Sequence, residues 1–457
     1  MAEYTVNFEK TIHSLLENRK FSTIKDVLTT MNEADIAAIF SELEPEEIPI
    51  LFRLLPKELA AETFAEMEGE DQELLIKGFS DAELREVVNE LFVDDVADMV
   101  EEMPANVVKR ILAQADAEMR KEINEILRYP ENSAGSIMTT EYVSLKPEMT
   151  INEAIARIQK TAVDKETIYT CYVTRNRELL GFITIKDMLI CGKEDARIGE
   201  IMDTNVISVN TSADKEEVAQ MLSKYNFLAL PVVDGENRMV GIVTFDDAMD
   251  VMEDEATEDI QIMAGMTPSD KTYLKSSPFD LFAHRIPWLL LLMVSATFTG
   301  IIITGFENAL AAQVVLTAFI PMLMDTGGNS GSQSSVTVIR ALSLGELEFS
   351  DLPSVIGKEI CTAALCGSAL AAACFAKIML IDRLLLGNTG VTLLVAAVIC
   401  LTMALTVVVA KLIGCTLPLV ARKLGFDPAV MASPFITTIV DAVSLLVYFG
   451  IASVLLF

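Results

Sequence analysis

Asp325 and Asp441 each stand in a stretch of sequence that is otherwise almost free of charge. An ionisable group inside such a stretch costs about 2.5–3.5 kcal/mol on insertion scales, so it usually faces a partner or a polar path. A third acid, Asp427, directly precedes Pro428 at the start of the run that carries Asp441. On a helix that spacing is about 21 Å along the axis and within roughly 40° of one face. Thr437 shares the stripe, with Thr438 and Ser433 beside it. One helix would thus present a carboxylate at the mouth and another at mid-depth on one pore-lining stripe. Each acid also has a plainer account: Asp427 as a helix cap, Asp441 as an interhelical hydrogen-bond partner.

The segment Pro321-Met-Leu-Met-Asp-Thr-Gly-Gly-Asn-Ser-Gly-Ser-Gln333 adds amides and hydroxyls to Asp325. Its three glycines and proline permit either close helix approach or local unwinding. Asn329, Ser330, Ser332 and Gln333 would then line a polar path. Other chemistries lack their residues. His13 and His284 are the two histidines, and no HExxH occurs. The seven cysteines (171, 191, 361, 366, 374, 400 and 415) form no CxxC pair, so neither a zinc site nor a disulfide framework is indicated. No nucleophile–base set or phosphate loop is present, and an enzyme is not expected.

The elements that must position these residues are apolar. Residues 286–306 form an uncharged run long enough to span a bilayer as a helix. Further spans are expected from Leu310 to about Ala341, and near 355–380, 387–417 and 429–456, which makes five. With the N-terminal part inside, Arg285, Arg340, Lys358, Arg422 and Lys423 fall on the cytosolic side, and Lys377 and Arg383 fall outside. Five spans place the C-terminus outside. The opening MAEYTVNFEKTIHSLLENRK lacks an apolar core, so no cleavable signal peptide is expected.

Charge divides the chain. The net charge is −31, of which −1 lies from His284 onward and −30 before it. Such a surface repels nucleic acid and attracts multivalent cations. Residues 1–130 read as acidic, stacked short helices with a 24-residue recurrence that aligns Phe40, Phe64 and Val88, and Leu43, Met67 and Leu91. Residues 138–252 are duplicated: 138–155 aligns with 202–219, and Gly181-Phe-Ile-Thr-Ile-Lys-Asp187 with Gly241-Ile-Val-Thr-Phe-Asp-Asp247. Each copy predicts strand, helix, strand, turn, strand, helix. This resembles a tandem pair of CBS domains, divided here as 131–200 and 201–247. The resemblance implies two alternatives. One is an ATP-type nucleotide site, with Thr184 and Asp187 on ribose or phosphate and Tyr169 and Phe227 stacking on the base. The other is a dimerising spacer that binds no nucleotide. Residues 248–275 then read as an acidic connecting helix and linker, ahead of a transmembrane domain at 276–457.

Order and motifs together resemble the MgtE family of magnesium transporters across nearly the whole chain. The residues that carry the resemblance are 321–335 with Ile339-Arg-Ala-Leu342, then 427–448, then Asp254-Glu-Ala-Thr-Glu-Asp-Ile260. The resemblance implies three parts: an all-α superhelical N-terminal domain, an α/β CBS pair and an all-α five-helix membrane domain. It implies a homodimer in a bacterial inner membrane that conducts Mg²⁺ past Asp441, with Asp427 recruiting the ion and Asn329 lining the path. It further suggests closure when cytosolic Mg²⁺ bridges Asp94, Asp95, Asp246, Asp247, Asp250, Glu255, Glu258 and Asp259. The rival readings are transport of another divalent cation such as Co²⁺, a carrier instead of a channel, and a membrane-anchored CBS nucleotide receptor.

Overall fold

The structure is a computed structural model that describes residues 11–456 apart from 17, 193–194, 270, 272, 275 and 389. The chain forms two compact units, Met1–Met252 and Glu253–Phe457.

The first unit opens with the acidic helices. Helices begin at Glu33, Lys57, Asp81 and Ala105, each 24 residues after the last, and each packs on the next. The residues just before them, Asn32, Pro56, Ser80 and Pro104, all take extended or near-extended backbone that starts a helix. Phe40, Phe64 and Val88 are fully buried along the stack. A stack in which each turn covers its neighbour is the expected consequence of helices too short to bury themselves alone. Helix α1 (Val93–Glu102) interleaves with this series and carries Asp94 and Asp95 in its first turn.

Two three-stranded sheets follow. In the first, β1 (Tyr142–Leu145) pairs parallel with β2 (Thr167–Arg175), which pairs antiparallel with β3 (Glu178–Thr184). The second repeats the pattern with β4 (Val209–Asn210), β5 (Ala229–Val233) and β6 (Met239–Thr244). The copies lend each other a segment: Asp203 bridges to Phe182 on β3, and Thr139 bridges to Ile242 on β6. Gly181 and Gly241 allow this, because a Cβ at either would run into the Asp203 or Thr139 carbonyl. Helix α2 (Phe245–Met263) continues without a break from the end of the second copy.

The second unit is built on α3 (Pro278–Gly305), α4 (Ile320–Ser343), α5 (Leu352–Lys377), α6 (Leu393–Lys423) and α7 (Ser433–Leu455). Helix α6 packs on α4, α5 and α7, whereas α3 rests on α7. Among the described residues, four helical stretches are long and apolar enough to cross a membrane: Pro278–Gly305, Phe349–Leu385, Leu393–Lys423 and Pro428–Leu455. The glycine-rich α4 is not one of them, because its acid, amides and hydroxyls lower its hydropathy. It also starts at Ile320 and not near Leu310. Gln313 leaves the helical region, Val314–Phe319 forms a 3₁₀ turn, and Pro321 suits a helical first turn. The glycines serve close approach and not unwinding: α4 is continuous, and a Cβ at Gly414 of α6 would strike the Gly331 carbonyl.

Candidate functional site: a carboxylate path and an acidic hub

In the second unit four of the five residues expected on the path come from two facing helices. Asp325 and Asn329 sit one turn apart on α4, and the Asn329 amide donates to Asp325 Oδ1 at 3.1 Å. Thr437 and Asp441 sit one turn apart on α7. The helices are tightly opposed there, since a Cβ on Gly328 would come within 2.8 Å of Thr437 Cγ2. Asp441 is partly buried, and its Oδ1 is shielded from solvent without a hydrogen-bond partner. Asp325 is its charged neighbour. A carboxylate held this way in an apolar bundle is short of a positive partner, which a passing cation would supply. The side chain of Ser433 lies outside the described residues.

Asp427 caps only the 3₁₀ turn Pro428–Met431, its carboxylate accepting from the Ala429 amide at 2.8 Å. Extended Ala432 separates that turn from α7, so Asp427 and Asp441 do not share one helical stripe as expected. Asp427 also acts electrostatically on Asp259 of α2. Burial raises the Asp259 carboxyl and Asp427 adds to the rise. Ser343, which donates to Asp259 at 3.0 Å, and the Arg340 charge oppose it. Asp259 and Asp427 thus form a carboxylate pair beside the end of α4. Glu258 is exposed and Glu255 partly buried on the same helix.

In the first unit, acids from both sub-structures converge on α1. Asp94 is 8 % exposed, and its Oδ1 has no hydrogen-bond partner. Burial raises its carboxyl well above the ordinary range, and Asp247, Asp95 and Glu166 add to the rise. Burial likewise lifts Asp95 to about 6, with Glu66 and Asp246 contributing. Asp247 is lifted to about 6 by burial and by Asp246, although the Thr244 hydroxyl donates to it. Asp250 lies at the edge, close enough to raise Glu66. Two members were not expected from the sequence. Glu166 is pushed to about 8 by burial and then by Asp246, Asp247 and Asp95. Glu141 is pushed to about 7 by burial, although it accepts from the Val93 amide at 3.3 Å. The repeat held the signal for both. At the offsets that align the copies, Glu141 falls on Asn205 and Glu166 on Asn226, so the first copy alone carries acids there.

Among the described residues, no three His, Cys, Asp or Glu side chains are already arranged to hold a bare metal ion. A spread of carboxylates suits Mg²⁺ nonetheless, because it dehydrates reluctantly and is commonly held through its waters.

The nucleotide candidates divide. Phe227 lines a shallow cleft with Thr170, Tyr172, Phe182 and Pro231, and stacks on Tyr225 at 5.4 Å. Thr184 sits across the strand pair from Thr170, but its hydroxyl is engaged with Asp187 in a helix-capping box. Tyr169 is two-thirds exposed.

Comparison with known proteins decides the relationship. Residues 320–451 match the MgtE family of divalent cation transporters, 31–132 the MgtE intracellular N domain, and 134–192 and 198–254 the CBS domain. A magnesium transporter MgtE of Thermus thermophilus is 35 % identical over 451 residues, covering 97 % of this chain and 98 % of the relative. The chain belongs to the MgtE family of magnesium transporters. An MgtE of Bacillus subtilis is 32 % identical over 96 % of this chain and 95 % of its own length. Among solved structures, the cytosolic domain of the Mg²⁺ channel MgtE in complex with ATP is 35 % identical. It covers 53 % of this chain and 99 % of its own, with a TM-score of 0.51. The soluble part of a magnesium transporter is 28 % identical and covers 55 % of this chain and 99 % of its own, again with a TM-score of 0.51. MgtE relatives are transporters and not enzymes, and their CBS domains are regulatory. The fold expected from the sequence, helical N domain, CBS pair and apolar helical C-terminal part, is the MgtE architecture.

Proposed function

We propose that the chain is a channel-like Mg²⁺ importer of a bacterial inner membrane, closed from the cytosol by Mg²⁺ itself. The observation that carries the pathway is the shielded, unpartnered Oδ1 of Asp441 beside Asp325 within apolar helices. One Asp441 leaves a divalent ion half-neutralised, and a two-fold homodimer supplies the second carboxylate. Asp325, Asn329 and Thr437 line the approach, and Asp427 with Asp259 receives the ion at the cytosolic mouth. In this reading α4 is a fifth span, tolerated in a bilayer because its polar face looks onto the path. The soluble unit then lies in the cytosol and the C-terminus outside.

Closure follows from the hub. Without Mg²⁺ its carboxylates repel one another; with Mg²⁺ bridging Asp94, Asp95, Asp246, Asp247 and their neighbours, the unit tightens. Helix α2, with Asp250, Glu255, Glu258 and Asp259, passes the change towards the membrane. A ligand that binds one state better shifts the balance to it. ATP at the CBS cleft beside Phe227 is a second ligand, supported by the ATP complex of the relative. The test is Mg²⁺ uptake into proteoliposomes by the wild type, Asp441→Asn and Asp441→Ala, with Co²⁺ as competitor. Collapse of uptake in both folded variants supports the path; unchanged uptake refutes it. Preference for Co²⁺ would assign the path to another divalent cation.

A further inference from the structure

A second set of charges lies inside the helical bundle, away from Asp441. Lys411 of α6 is 5 % exposed and Ser334 of α4 is 2 % exposed. Ser334 Oγ donates to Glu359 Oε2 of α5 at 2.6 Å, Lys411 Nζ donates to Ser334 Oγ at 3.2 Å, and Lys411 Nζ lies 3.7 Å from Glu359 Oε2. Three helices therefore meet on one hydroxyl. The contact sits one turn from the Gly331–Gly414 crossing, where α4 and α6 touch through backbone. The next residue, Ser335, donates to the Met431 carbonyl at 2.7 Å, just ahead of α7.

An ammonium is costly to bury in such a bundle without a counter-charge. Apolar side chains would pack α6 against α4 at lower cost. The position on α4 gives the pair a role. Asp325 and Ser334 are nine residues apart, which on a helix is about 180°, so they lie on opposite sides of α4. Anchoring Ser334 at the rear fixes the rotation that turns Asp325 and Asn329 towards Asp441. The charge balance matters as well. An unpaired ammonium behind α4 would act on a divalent ion through weakly screening protein.

We propose that Glu359 and Lys411 are positioning residues for the ion path. Through Ser334 they lock the rotation of α4, and their mutual neutralisation keeps the Lys411 charge from repelling the cation. This rests on the pore reading above. It is tested by Mg²⁺ uptake into proteoliposomes over a range of Mg²⁺ concentrations, for Glu359→Gln, Lys411→Met, the double variant and Asp441→Asn. Glu359→Gln, which strands the ammonium, should raise the half-saturating Mg²⁺ concentration by about tenfold or more. Lys411→Met, which strands a carboxylate, should not raise it. The double variant should return it to within about threefold of wild type, because removing both partners of a buried pair is far milder than removing one. A single variant that fails to fold while the double folds and transports supports the same coupling. A double variant no better than the worse single, in folding or in half-saturation, overturns the proposal. Equal shifts in the two singles also overturn it, since loss of packing alone has no sign. Wild-type uptake by Asp441→Asn overturns the pore reading and this proposal with it. Loss in Asp441→Asn with additive singles overturns this proposal alone.

Discussion

Replacing Asp247 with asparagine should stabilise the metal-free protein at alkaline pH and weaken its response to Mg²⁺. Asp247 is lifted from 3.8 to about 6 by burial and by Asp246, while Asp95 adds a smaller repulsion. A carboxyl whose folded value is raised contributes stability that is fully present below its unfolded value and is lost as pH rises through the folded one. For the hub that window runs from about pH 4 to above 8, where Glu166 ionises. Holding Asp247 ionised in the fold at pH 8 costs about 3 kcal/mol. Asparagine keeps the shape and an acceptor for the Thr244 hydroxyl but carries no charge. Relaxation of the remaining acids returns part of the gain, so about 1–3 kcal/mol is expected, or roughly 3–10 °C in midpoint for a unit of this size. With Mg²⁺ at a hundred times its dissociation constant, the wild type gains about 2.7 kcal/mol and the variant less. The variant's advantage should therefore shrink between EDTA and Mg²⁺ at pH 8, fall to about half in EDTA at pH 5, and nearly vanish only near pH 4. The assay is thermal unfolding of the full chain in detergent, followed by circular dichroism in EDTA and in Mg²⁺. A variant less stable than wild type in EDTA at pH 8 would refute the repulsive hub. A metal-free wild type that gains stability from pH 6 to 8.5 would refute it equally.

The same values require Mg²⁺ binding to expel protons. At pH 7, Glu166 at about 8 is about nine-tenths protonated and Glu141 at about 7 about half. Release of at least about one proton per hub should appear in calorimetry across buffers of different ionisation heat, and buffer-independent heats would exclude it. Gly331→Ala should push α4 off α6 and α7, because its Cβ would meet Ala410 O at 3.1 Å and Ile436 Cγ2 at 2.8 Å. The expected cost is about 1–3 kcal/mol in detergent unfolding, with reduced uptake, and a neutral effect would mean the crossing is loose. Phe227→Ala should weaken ATP binding by about tenfold if the base stacks there, whereas Tyr169→Ala, at an exposed position outside the cleft, should change it little. Equilibrium dialysis with ATP reads both, and equal losses would move the site.

The fold was legible where a short period governs it. The 24-residue recurrence marked the stack because each helix buries one large side chain against the next, and Phe40, Phe64 and Val88 do so. The duplicated Gly-x-x-Thr-x-x-Asp ending marked the CBS pair because Gly181 and Gly241 each admit a backbone from the other copy. Element ends were less legible. Hydropathy carries no sign of the break at Gln313, so the start of α4 at Ile320 could not be placed. Nor does composition show that the second copy's last helix runs straight into the connecting helix.

The sites were legible in proportion to how anomalous each residue was in its own neighbourhood. Asp441 and Asp325 stood out against apolar sequence, and the structure puts them beside each other on facing helices. Glu141 and Glu166 stood out against nothing, being acids in an acidic region, and only burial distinguishes them. Glu359 was hidden by its neighbours in another way. Beside Lys358, near the start of α5, it reads as the charged border of a span, yet its carboxylate turns inward to Ser334 and Lys411. Sequence supplies the identity of a charge, while its energy depends on desolvation, and desolvation is a property of the packed helices. The carboxylates therefore divide by environment. Those in the hub are buried against one another, and on the proposed reading Mg²⁺ would relieve their repulsion. Glu359 faces a built-in ammonium, so its charge is already spent on holding α4.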